Sequence, residues 1–148
     1  MNKKNLYIDL IPHTSSFKNL RTILSSNEWD ELRKKTYKKY NYKCAICNGV
    51  GKKHPVEAHE RWDYDEDTQI QKLKNIVALC PKCHLVTHIG FAQIQNRFEE
   101  AVKHLKKVNN WGDIEVQKEL ERAFSLREKR NKIKWKINID KIYEKGFE

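Results

Sequence analysis

The 148-residue chain contains no apolar run of the length a helical membrane span requires, and Met1-Asn2-Lys3-Lys4 leads into no apolar stretch of the secretory-signal kind. These absences predict a cytoplasmic protein with no membrane partner. No segment repeats and no tract is of low complexity, which sets aside solenoids and compositional linkers. Acid is in short supply: 20 Asp and Glu face 30 Lys and Arg, a formal charge of +10. That imbalance favours a polyanionic partner, nucleic acid ahead of a membrane surface. Cysteine is scarcer still. There are four, and all four lie in two matched C-x2-C pairs, Cys44-Ala-Ile-Cys47 and Cys80-Pro-Lys-Cys83.

In a reducing compartment such pairs are metal ligands rather than disulfides. Zinc takes four soft ligands in a tetrahedron, and two thiolates flanking a tight turn supply half of them. Cys44, Cys47, Cys80 and Cys83 therefore predict one structural Zn2+. A retroviral-type knuckle, C-x2-C-x4-H-x4-C, fits Cys80, Cys83 and His88 but fails at Gln93, which leaves the four-thiolate site as the economical assignment. The 32 residues between Cys47 and Cys80 leave room for a β-hairpin clamped at its base.

The length suits one domain, residues 1–148, of α+β class. It is read as an N-terminal arm and helix over 1–43, a zinc-centred core over 44–90 and a helical extension over 91–148 that ends in a strand. Leu6 to Ile11, stopped by Pro12, reads as a strand or extended arm. Ser25 with Glu28 forms a capping box for a helix over about 27–40. Pro55 to His59 and Ile76 to Leu79 read as short strands, with an acidic loop over 63–67. Phe91, Ile94, Phe98, Ala101, Leu105 and Val108 step by three or four and predict one amphipathic helix. Asn109 to Gly112 breaks it, and Asp113 is placed as N-cap of a further helix reaching about Asn131. Ile133, Trp135, Ile137 and Ile139 alternate with polar residues, a half-buried strand expected to pair with the Leu6–Ile11 segment.

The zinc leaves His59, His84 and His88 unclaimed. His84 and His88 lie four apart at a helix start, so both rings project from one face, the spacing that lets two imidazoles hold a divalent cation. His59 sits on the strand that the zinc would bring against that helix. His13, His54 and His104 read as surface or filler residues.

The order C-x2-C, Val56-Glu57-Ala58-His59, then Asn75-Ile-Val-Ala-Leu-Cys80-Pro-Lys-Cys83-His84 resembles the HNH endonucleases, the ββα-metal or His-Me finger group. The resemblance spans roughly residues 44 to 90, and the Asn-x4-C-x2-C-H run is its most specific part. It implies a catalytic role for His59 as the general base, for Asn75 as a brace of the loop or base, and for His84 as ligand of a catalytic Mg2+ or other divalent metal. His88 matches the additional helix histidine of colicin-type nucleases, also a ligand. The implied reaction is phosphodiester hydrolysis. Where the family has a ligating Asp or His before the base, this chain has Ala58; Glu57 is the first candidate to replace it and Glu60 the next. The alternatives are a metal held by His84 and His88 alone, or an inactive site on a zinc-stabilised nucleic-acid-binding module. A protein-interaction domain using zinc only as a staple is a third reading.

Two basic stretches suit phosphate contacts. Lys34, Lys35, Lys38 and Lys39 interleave with Tyr37, Tyr40 and Tyr42; Arg130, Lys132 and Lys134 accompany Trp135. They make nucleic acid, DNA first, the expected partner. No base-reading element is evident.

Overall fold

In a computed structural model of the chain, residues 5–145 and 147 are described, and the fold is α+β. Its centre is an antiparallel hairpin, β1 (Glu57–Asp65) and β2 (Ile70–Leu79), in register from Glu57 opposite Leu79 to Asp65 opposite Ile70. Both strands run longer than their apolar patterns indicate. The acidic residues expected in a loop instead finish β1 and make the turn: the Asp65 carboxylate accepts the Asp67 N–H at 3.0 Å, and Gln69 takes a left-handed φ of 59°.

The hairpin has two differently used faces. Ala58 and Trp62 of β1, with Leu73 and Ile76 of β2, pack against Leu20 of α1 (Leu20–Ile23) and Trp29 and Leu32 of α2 (Ser26–Lys39). Leu73 and Ile76 are three apart and still share a face. The register shift at Arg61/Trp62, which leaves Lys74 without an opposite number, makes this possible. The other face carries His59, Val77 and Leu79, covered by α3 (Pro81–Thr87), α4 (Ile89–Ile94), α5 (Phe98–Asn109) and α6 (Asp113–Arg130).

The helices differ from the single periodic run read over residues 91–108. Cys80 caps α3 with Pro81 at its first position, the one place in a helix where a missing N–H costs nothing. His88, at φ −105° and ψ 51°, breaks α3 from α4. Asn96, left-handed at φ 57°, then separates α4 from α5. The side-chain periodicity read from Phe91 onward passed through the break at Asn96. The last long helix starts at Asp113, with Gly112 rather than Asp113 as its N-cap.

The expected pairing of the two terminal segments is not formed. Leu6, Ile8 and Leu10 are buried in alternation, but this arm inserts among the helices instead of a sheet. Side chains take the place of a ladder. The Leu6 N–H donates to Asn109 Oδ1 at 2.9 Å and the Asn109 amide returns to Leu6 O at 2.7 Å; the Ile8 N–H donates to Glu119 at 2.7 Å. The Asp9 N–H reaches Thr87 O at 3.0 Å. The C-terminal strand is short, β3 (Lys136–Asn138), and lies parallel to β2 at Ile70–Lys72. Trp135 anchors it, buried, with its indole N–H on Arg130 O at 3.0 Å and its ring edge-on to Tyr64. A single 3-10 turn, Asp140–Tyr143, follows.

Candidate metal centres

The four cysteine sulfurs converge within 4.8 Å of one another. Backbone geometry shapes the first pair: Asn48 is left-handed at φ 62°, and its N–H returns to Cys44 O at 3.0 Å. Amides then point at sulfur, from Ile46 to Cys44, Gly49 to Cys47 and Cys83 to Cys80, at 3.4–3.5 Å. Such donors favour thiolates. Ligands on a tetrahedron about 2.3 Å from zinc stand about 3.8 Å apart; Cys47 and Cys80 Sγ are 3.6 Å apart. The donor set fits zinc in number, kind and spacing. A Cys44 thiolate hydrogen-bonded by Cys80 and Cys83 is held far below the usual thiol range. Those two thiols, donating to it and buried, are pushed up, Cys80 to about 12. A cation shared by the sulfurs would relieve this crowding. His104 Nε2 stands 3.2 Å from Cys83 Sγ, placing a possible donor against the cluster from α5.

Gly51 shows how closely the first knuckle lies on α3. A Cβ there would meet His54 O at 2.3 Å and Pro81 Cδ at 2.7 Å, distances no side chain tolerates.

One residue beyond Cys83, α3 presents His84, and its C-terminal end presents His88. With His59 of β1 they offer nitrogens within 4.8 Å of one another, the rings edge to face at 4.7–5.4 Å. The Nε2 atoms of His84 and His88 are 3.1 Å apart. Two nitrogens about 2.0–2.1 Å from one tetrahedral ion stand about 3.3 Å apart, so this pair fits a shared divalent metal.

Two carboxylates stand behind the histidines. Glu57 accepts from His84 Nδ1, and its other oxygen meets His54 Nε2 at 2.7 Å. The His84 hydrogen bond, opposed by burial, holds the Glu57 carboxyl down at about 2. An ionised carboxylate only accepts, so His84 donates from Nδ1 and turns Nε2 toward His88. Asp9, from the arm, accepts from His59 Nε2 at 3.0 Å. Burial raises the Asp9 carboxyl, but the His59 hydrogen bond, helped by the nearby Arg61 charge, outweighs it and leaves it below its ordinary value. By the same reasoning the free lone pair of His59 is on Nδ1. His59 is 3% exposed; burial lowers its pKa, with Asp9 opposing. Burial lowers His88 to about 3. At neutral pH these two rings are uncharged, the form that binds metal or accepts a proton.

The sequence-predicted residues fall into three groups. Cys44, Cys47, Cys80 and Cys83 assemble, as do His59, His84 and His88. Glu57 reaches the cluster, but both its oxygens are engaged by histidines, and the metal-competent group does not include it. Glu60 points to the opposite face, where it accepts the Leu20 N–H, and Ala58 packs against the α1–α2 cluster. Asn75 is paired in register with Arg61, and its Oδ1 is buried without a partner. Lys34, Lys35, Lys38 and Lys39 are exposed on α2, which covers the face opposite His59. Lys132 and Lys134 are exposed beyond α6, while half-buried Arg130 borders a cavity that Asp9 also lines.

Sequence reasoning missed Asp9, His54 and His104. Asp9 did leave a signal: it is an acid on the polar side of the Leu6, Ile8, Leu10 alternation in an acid-poor segment. Nothing in the sequence pairs it with His59. Comparison with known protein families, with curated proteins and with solved structures finds no match.

Proposed function

We propose that the protein is a metal-dependent nuclease of the HNH kind, in which a four-thiolate zinc builds the site and a second divalent metal serves it. The observation that carries this reading is the convergence of His59, His84 and His88 within 4.8 Å, on the hairpin and the helix that the cysteines join. A divalent cation at His84 and His88, Mg2+ or another, would supply positive charge to the oxygens of a phosphodiester.

The chain's own residues would do the rest. His59 Nδ1 accepts the proton of the attacking water, and Asp9, hydrogen-bonded to Nε2, holds the ring and stabilises the imidazolium that results. Glu57 fixes His84 with Nε2 turned inward, the carboxylate–histidine arrangement that orients metal ligands. This gives Glu57 a positioning role in place of the ligand role expected for it. The net basic charge of +10 fits a nucleic-acid substrate, with DNA preferred.

A second reading rests on the deep burial of His59, which would make it a third metal ligand in an inert nucleic-acid-binding module. Metal titration by calorimetry on zinc-loaded protein separates the two. Under the nuclease reading His84→Ala and His88→Ala lose the second metal, whereas His59→Ala binds it as the wild type does. Loss of the second metal from His59→Ala as well would establish the ligand reading.

A further inference from the structure

A cavity of about 150 Å³ lies between the arm, β1 and α6, and Asp9 is the wall it shares with the histidine cluster. Four cations line it: Arg61 of β1, Lys74 at the register shift of β2, and Arg122 and Arg130 of α6. Two acids, Asp9 and Asp63, line it as well. Asp9 is committed to His59, and Asp63 is exposed and makes no ion pair among the described residues.

The cations are not equivalent. Arg122 is satisfied, with two bonds to Glu119 at 2.6 and 2.7 Å and one to Ile8 O at 2.8 Å. Among the described residues, Arg61, Arg130 and Lys74 have no carboxylate partner. Each arginine is instead held by a ring. The Arg61 guanidinium lies 4.8 Å from the Tyr7 centroid and that of Arg130 lies 3.9 Å from the Tyr64 centroid, with Tyr64 braced by Trp135. Stacking fixes a guanidinium plane while leaving its N–H edge free. The Arg61 Nε is buried without any acceptor. Partial burial lowers the Arg130 pKa, with the more distant charges of Asp9 and Glu66 opposing. Two pre-oriented forks without acceptors, around a space large enough for a tetrahedral oxyanion, call for a ligand that accepts from both.

We infer that this cavity is a binding site for a phosphoryl oxyanion gripped by Arg61 and Arg130, and that it takes a backbone phosphate next to the linkage presented to His59, His84 and His88. Its place beside the histidines rests on the nuclease reading; oxyanion binding does not. The residues doing this are on the histidine side of the hairpin, not on the lysine-rich face of α2.

The test measures binding without added divalent metal, using inorganic phosphate by calorimetry and a short fluorescein-labelled DNA strand by anisotropy across a salt series. Arg61→Gln and Arg130→Gln should each weaken DNA binding about tenfold or more. Each should also reduce the slope of log affinity against log salt by about 1. Arg61→Lys, which keeps charge and stem but loses the fork, should fall between. Lys34→Gln with Lys35→Gln should leave phosphate binding unchanged. Loss of DNA binding on replacing the strand by its neutral methylphosphonate analogue assigns the site to backbone phosphate; Arg-dependent binding of inorganic phosphate alone assigns it to a free anion. If neither arginine variant, with its melting temperature preserved, alters either ligand, the site does not exist. Arg-dependent binding in a protein that never cleaves would reject the nuclease reading and keep this one, and cleavage with Arg-independent binding would do the reverse.

Discussion

At the scale of single residues, the chemistry turns on which proton each carboxylate fixes. Asp9 and Glu57 stand behind His59 and His84, each engaging one ring nitrogen and orienting the other toward the cluster. Asp9→Asn keeps the size but removes the charge. It should cost about 10- to 100-fold in plasmid cleavage with zinc content and melting temperature unchanged; unaltered cleavage would reduce Asp9 to packing. Glu60 sits one residue from His59 yet serves the opposite face. Burial pushes its carboxyl up to about 7, so the folded state holds a proton that the unfolded chain releases near 4.5. Stability from this group is therefore greatest below about pH 4.5, declines up to about pH 7 and stays lost above it. Glu60→Gln, which can still accept from Leu20, should be more stable than wild type by about 2–3 kcal/mol at pH 8 and equal to it at pH 4.5. Urea titrations at the two pH values measure the difference.

At the scale of elements, the N-terminal arm is the part whose role could not be read in advance. Its alternation of Leu6, Ile8 and Leu10 has the period of a strand, and periodicity reports burial on one side without naming the neighbour. The arm's amides found Asn109 and Glu119, over a hundred residues away in sequence. The metal-binding residues were legible for the opposite reason. Spacing within a C-x2-C turn or along one helical turn is local, so Cys44/Cys47, Cys80/Cys83 and His84/His88 carried their geometry with them. His59 was placed by the expected clamp of strand against helix and given its role by likeness, whereas Asp9, Arg61 and His104, whose contacts run between elements, were not legible in these roles. Asn109→Ala removes both hydrogen bonds to Leu6. It should destabilise by about 1–3 kcal/mol and raise amide exchange at Leu6 and Ile8; unchanged exchange would show that the Asn109 bonds do not hold the arm.

At the scale of the whole molecule, the four-cysteine cluster joins the knuckle after α2 to the start of α3, and the hairpin lies between. Buried Leu79 leads directly into Cys80, and Cys83 directly into His84. Zinc binding contributes about 10–16 kcal/mol in small domains, as much as the net stability of a typical domain. Cys80→Ser, or removal of zinc by a strong chelator, should therefore abolish cooperative melting and far-UV ellipticity of the hairpin and α3. A zinc-free protein that melts as before would overturn the four-thiolate assignment.

The most direct test of the central claim is the nicking of supercoiled plasmid by zinc-loaded wild type and His59→Ala across Mg2+, Mn2+ and Ni2+, with a chelated control. The histidine site predicts cleavage that requires added metal and falls about 100- to 10,000-fold in His59→Ala at equal zinc content. Undiminished nicking by His59→Ala, or none by wild type with any of the three ions, would contradict it.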